Sequence, residues 1–173
     1  IAIGYQRSPG LIDLEVQRKG EGDCSLEFAP ALSLRSRVAS VSLNGKNFAF
    51  HVDKNAADQH VAMSIRLSDG TNKVRIQIKD DFGLALNSTL PSLGEPSQGM
   101  RILSESWESN AAQMVADVAG VAGHTYELLI WNPSQISAVE GGVLSNKDES
   151  IGRLHVAIPD GNDETSRQKI IFH

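Results

Sequence analysis

Two close pairs of carboxylates, Asp80 with Asp81 and Glu105 with Glu108, have the residue types that acid–base chemistry uses. Glycoside hydrolysis needs two such groups a few ångströms apart across a cleft. Nothing in the sequence sets either pair across a cleft, so surface carboxylates at strand ends are the expectation. His51, His60, His124 and His155 are the imidazoles that could each join a carboxylate. Asp160-Gly161-Asn162-Asp163-Glu164 is an oxygen-rich run suited to a hard cation such as calcium, with Asp160, Asn162 and Glu164 as the ligands. Its spacing is not that of an EF-hand, and a turn before a final strand explains the same residues. Asp53, Asn55 and Asp58 form a second run of that kind. No other cofactor is called for.

Binding chemistry has its own candidates. Sugars are held by aromatic faces with planar polar groups beside them, which draws attention to Trp107, Trp131 and Tyr126. Trp107 lies in the polar run Ser104-Glu105-Ser106-Trp107-Glu108 and is the better candidate for exposure, whereas Trp131 sits in the most apolar strand and is expected in the core. His60, Arg66 and Arg75 are the cations that would flank a sugar or a uronate.

Several mechanisms are excluded by reading. The chain has no Gly-x-Ser-x-Gly elbow, no His-Glu-x-x-His, no phosphate-binding glycine loop and no dinucleotide fingerprint. Asp81-Phe82-Gly83 matches a kinase triplet without any of its companions. The one cysteine, Cys24, rules out both a cysteine zinc site and an internal disulfide, and a lone cysteine is most often a small buried apolar residue. Asn87-Ser88-Thr89 is a glycosylation sequon that matters only in a eukaryotic secretory pathway. A net charge of −5 argues against a nucleic-acid partner. No apolar run nears the roughly 18 residues of a membrane span. In these terms the chain is not expected to be an enzyme.

The elements that must position these residues are strands. Leu11–Arg18 alternates, with Ile12, Leu14 and Val16 on one face. Ser25–Phe28 is a short strand stopped before Pro30. Asn44-Gly45 has the chemistry of a type I′ turn, and centring a hairpin there pairs Leu43 with Lys46, Val41 with Phe48 and Ala39 with Phe50. Asp69-Gly70 predicts a second hairpin that pairs Leu67 with Asn72, Ile65 with Val74, Met63 with Ile76 and Val61 with Ile78. Its reverse face would carry His60, Arg66, Lys73, Arg75 and Lys79, with Arg66 facing Lys73, a like-charge pair that needs water or an anion.

Further strands are expected over Met100–Trp107, Gln113–Val118, Thr125–Trp131, Gly152–Ile158 and Gln168–Phe172. A short helix over Asn110–Val118 is the weaker alternative. Ile1–Gly10 reads as a connecting segment, and a start without Met suggests a mature form or a fragment. With 173 residues, 40% of them hydrophobic, the chain can bury one large core or two small ones. The prediction is an all-β protein, an antiparallel β-sandwich in two small lobes. These are an N-terminal lobe over 1–84, a linker or long crossing over 85–99, and an immunoglobulin-like lobe over 100–173.

The order strand, Asn-Gly, strand, polar connection, strand, Gly-Thr-Asn, aliphatic strand within Val38–Phe82 resembles the jelly-roll and galactose-binding-like accessory modules of bacterial glycoside hydrolases. Leu26-Glu-Phe-Ala-Pro-Ala-Leu32 is similar to the entry into the C-terminal sandwich that follows a helical-toroid catalytic domain. Val118-Ala-Gly, Gly123-His-Thr-Tyr126 and Lys169–Phe172 resemble an immunoglobulin-like C-terminal module. The resemblance implies a secreted or periplasmic, non-catalytic part of a carbohydrate-active enzyme, whose partners are a catalytic domain of the parent chain and, in a binding module, a poly- or oligosaccharide. It carries over no site residue.

Three outcomes separate the classes. A structural module buries its Trp residues and shows an apolar patch. A binding module exposes Trp107 or another aromatic beside Asn, Gln or Arg on a groove. An enzyme brings two carboxylates, or a carboxylate and a histidine, together in a cleft.

Overall fold

The structure, a computed structural model, describes residues 1–87, 91–94, 97–108 and 112–173. It is all-β and antiparallel, with four sheets and no α-helix among the described residues. The chain divides into two compact units, Ile1–Asp81 and Phe82–His173.

The first unit contains β1 (Ala2–Ser8), β2 (Leu11–Arg18), β3 (Ser25–Phe28), β4 (Ala31–Leu32), β5 (Arg37–Leu43), β6 (Lys46–Asn47), β7 (His51–Lys54), β8 (Gln59–Arg66) and β9 (Gly70–Lys79). One sheet runs β1-β2-β9-β5-β6. In the other, β8 is flanked by β3 and β4 along one edge and by β7 along the opposite edge. The inward residues of both sheets form a single core, including Ile12, Leu14, Val41, Val74 and Ile76 from the first and Leu32, Val61, Met63 and Ile65 from the second. Burying each such side chain is worth about 1.5–3 kcal/mol.

Three expectations are corrected here. Ile1–Gly10 is not a connector, because β1 pairs with β2 from Ala2↔Gln17 to Ser8↔Leu11. The Asn44-Gly45 hairpin forms, with Asn44 at φ 52 and Gly45 at φ 78. Its pairs are Ser42↔Asn47 and Leu43↔Lys46, and the Phe48 N–H donates to the Val41 carbonyl at 2.9 Å. The chain then leaves this sheet to form β7, so Ala39 and Phe50 do not pair.

The larger correction concerns Asp69-Gly70, which is a corner between sheets and not a hairpin. β8 pairs with β3, β4 and β7, while β9 pairs with β2 and β5. Val61, Met63 and Ile65 therefore share one core with Val74, Ile76 and Ile78 but belong to the opposite sheet. Asn72 holds the corner. It is buried, its Oδ1 accepts from the Ser68 N–H at 3.0 Å and the Ser68 hydroxyl at 2.9 Å, and its Nδ2 donates to the Ser68 carbonyl at 2.9 Å. A hairpin would have no use for a buried amide there.

The second unit contains β10 (Gly83–Leu86), β11 (Arg101–Trp107), β12 (Met114–Val121), β13 (Thr125–Trp131), β14 (Val139–Glu140), β15 (Val143–Ser145), β16 (Ile151–Ala157) and β17 (Thr165–Phe172). Its sheets run β10-β13-β16-β15 and β11-β12-β17-β14. Leu128, Ile130, Leu154 and Val156 of the first meet Met114, Ala116, Val118, Ile170 and Phe172 of the second in one core. The strand expected over Gln113–Val118 forms as Met114–Val121, so the helical alternative over 110–118 is not taken from Met114 onward; residues 110 and 111 lie outside those described. The units meet in sequence at Asp81/Phe82, just before the Gly83–Leu86 strand that pairs with β13, and not at the expected lobe end of 84 with a crossing from 85.

Candidate functional site

Outward residues of the β1-β2-β9-β5 face alternate with the core residues and fall into cross-strand rows. Gln6, Asp13, Arg75 and Ser42 lie in one row, Gly4, Glu15 and Lys73 in the next, and Ala2, Gln17 and Thr71 in a third. The Asn44 turn closes one side of this face: the Lys73 N–H donates to Asn44 Oδ1 at 2.8 Å, and the Asn44 N–H donates to the Lys73 carbonyl at the same distance. These rows floor a groove of about 760 Å³.

The charges on the floor are paired. Arg75 grips Asp13 through two bonds, Nε to Oδ1 at 2.7 Å and Nη2 to Oδ2 at 3.0 Å. Lys73 Nζ lies 3.2 Å from Glu15, whose other neighbour is the Gln17 amide, donating at 3.1 Å. The Gln17 hydrogen bond first, and Lys73 second, hold the Glu15 carboxyl below the usual glutamate range. Asp13 raises the Arg75 guanidinium pKa by its hydrogen bonds and its charge.

Asp13 and Glu15 stand two residues apart on one strand face, roughly 6.5–7 Å along it, near the spacing that inverting glycosidases use. Such a mechanism also needs one carboxyl raised so that it can donate a proton. Here the Glu15 carboxyl is held below its ordinary range, and Asp13 is engaged by both bonds of the Arg75 fork.

The residues singled out from sequence do not converge. Trp107 belongs to the second unit, while His60, Arg66 and Arg75 belong to the first. His60 and Arg66 face outward on β8 about 20 Å apart along the strand, and Arg75 stands on the other sheet. The predicted Arg66–Lys73 confrontation is therefore absent: Arg66 pairs with Asp23, and His60 Nε2 lies 3.3 Å from Asp58. Trp107 is half-buried and packs edge-on against Phe82, with ring centroids 5.7 Å apart. Trp131 is half-buried over Gly83.

Asp81 is fully buried in a salt bridge to Arg7, and Asp80 pairs with Arg37. Glu105 is the one acid among the described residues that loss of surrounding water holds above its ordinary range. His51 and Asp53 meet at 3.1 Å in the open, outside the groove.

Asp160, Asn162 and Glu164 are all exposed, and no group of three His, Cys, Asp or Glu among the described residues could hold a metal ion. In the 53–58 run, Asn55 Oδ1 accepts the N–H groups of Ala57 and Asp58 at 2.7 and 2.9 Å, so these oxygens build the turn. No helix among the described residues is long and apolar enough to cross a membrane.

The expectation of a connector over Ile1–Gly10 leaves out β1, and without it Gly4 and Gln6 have no place beside Asp13, Glu15 and Gln17 on the polar face of β2. The signal available was the alternation of Ile1, Ile3 and Tyr5. Comparisons with protein families, curated proteins and solved structures find no match.

Proposed function

We propose that the chain is a non-catalytic pair of β-sandwich lobes, the C-terminal accessory part of a secreted or periplasmic bacterial carbohydrate-active enzyme, and that it supports a catalytic domain. The observation that carries this reading is the pairing of both groove carboxylates with cations, Asp13 with Arg75 and Glu15 with Lys73, so that the acids of this groove are engaged in ion pairs.

Two further observations support the architecture. Each unit joins two sheets through one core, which is the layering of a sandwich. Tyr126, early in β13, accepts the Val121 N–H with its hydroxyl at 3.0 Å, resembling the tyrosine corner of immunoglobulin-like sandwiches. Uncovered apolar residues on β1, with Ile3 at 61% and Tyr5 at 53% exposure, agree with a surface that packs against another domain.

The test is a panel of aryl glycosides and soluble polysaccharides incubated with the purified chain, with reducing-end release as the readout. No release is expected. Turnover that disappears in Glu105→Gln or Glu15→Gln would overturn the non-catalytic reading.

A further inference from the structure

Gly4 has no structural reason to be glycine. Its φ is not positive, and a Cβ built on it would meet nothing within 4 Å. A glycine inside a strand weakens that strand and commonly marks a place where a ligand comes close to the backbone. Gly4 sits between Ala2 and Gln6 on the outer face of β1, opposite Glu15, so it leaves the groove floor bare beside the Glu15–Lys73 pair.

We infer that this groove is a binding site for a neutral, hydroxyl-rich glycan chain, with Gly4 leaving part of the floor bare and Asp13, Arg75, Glu15, Lys73, Gln6 and Gln17 as the hydrogen-bonding groups around it on that floor. The inference rests on the carbohydrate reading above and names the ligand and the place. Three properties select that ligand class. The floor carries two carboxylates and two cations, so it offers no net charge to recruit an ion. Sugar hydroxyls donate and accept at once, and each ion pair presents an acceptor beside a donor. The Asp13–Arg75 fork is fixed by two bonds before any ligand arrives, which lowers the ordering cost of binding. The hollow of about 760 Å³ also lies within the usual size of ligand sites.

The test is electrophoresis of the chain through gels containing hydroxyethyl cellulose, xylan, galactomannan, laminarin or polygalacturonate. Wild type should be retarded by at least one of the four neutral polymers. Gly4→Ile fills open space on a strand and keeps the fold, as thermal melting checks. It should weaken the apparent Kd by about tenfold or more, as should Arg75→Ala, while Trp107→Ala should leave it unchanged.

No retardation in any neutral gel overturns the inference. So does retardation that survives both Gly4→Ile and Arg75→Ala, or that vanishes only in Trp107→Ala. Retardation by polygalacturonate alone overturns the neutral class. Reducing-end release is followed separately, so turnover would sink the non-catalytic reading whatever the gels show, and absent binding without turnover would sink only the inference.

Discussion

The guanidinium of Arg7, on β1, lies 2.9 Å from the carboxylate of Asp81, just past β9, where Asp81 is fully shielded from water. The Gly10 N–H donates to the same carboxylate at 2.9 Å and the Ser36 hydroxyl at 3.3 Å, while Arg7 also donates to the Ala31 carbonyl at 2.9 Å. One buried carboxylate thus ties β1, the β1–β2 turn and the approach to β5 together. Breaking a buried pair by removing one partner leaves a charge uncompensated, at about 3–5 kcal/mol. Arg7→Leu and Asp81→Leu should each lose that much in urea unfolding, and the double variant should lose less than their sum. Asp23→Ala, at the exposed Arg66 pair, should change little.

Asn72 should matter for a different reason. Asn72→Ala strips the β8–β9 corner of the side-chain bonds to the N–H and carbonyl of Ser68, and a typical intramolecular hydrogen bond is worth about 0.5–1.5 kcal/mol. Asn72→Asp puts a charge where Nδ2 now donates to Ser68 and should be worse at neutral pH. Unfolding curves for both variants check this, and an unchanged midpoint in Asn72→Ala would contradict the corner role.

Glu105 gives a pH dependence. Desolvation raises its carboxyl pKa in the folded chain. Between the unfolded and folded pKa values the folded state holds more proton. Stability therefore falls as pH rises through that window and stays lower above it. Glu105→Gln should melt higher than wild type at pH 7 and should lose the advantage by about pH 3, below the unfolded glutamate pKa. An equal gain at both pH values would mean that the charge is not the cause.

Tyr126 anchors the second unit through its hydroxyl, which accepts from Val121 and donates to the Gln98 carbonyl at 2.8 Å. Tyr126→Phe should cost about 1–2 kcal/mol for the two lost bonds. Gly120→Ala should act on the same ring from below, because its Cβ would fall 2.5 Å from Tyr126 Cε2, and overpacking of that kind costs about 1–3 kcal/mol. Near-ultraviolet circular dichroism of Gly120→Ala against wild type, which have the same aromatic residues, reads whether the ring has moved.

Alternation along β8 and β9 correctly identified Val61, Met63, Ile65, Val74, Ile76 and Ile78 as buried. It could not say whether Ile65 and Ile76 lie side by side or across a core, because both arrangements bury the same face. Asn72, a polar residue in a core-facing position, carried the missing information. The Asn44-Gly45 turn was legible because its two backbone conformations demand particular residues, whereas the exit of Phe50 from that sheet is set by pairing with distant β8. The groove was harder still. Its rows join residues from four strands, and its floor is defined by a side chain that Gly4 lacks.

In both units the strand made last lies inside its sheet: β9 between β2 and β5, and β17 between β12 and β14. As the chain is synthesised, neither core can close gradually. The first must wait for Gly70–Lys79 and the second for Thr165–Phe172. The first unit can therefore be complete on the ribosome while β10 to β16 are still exposing their apolar faces. A premature stop before Thr165 would leave a folded first unit joined to a sticky, unclosed second one.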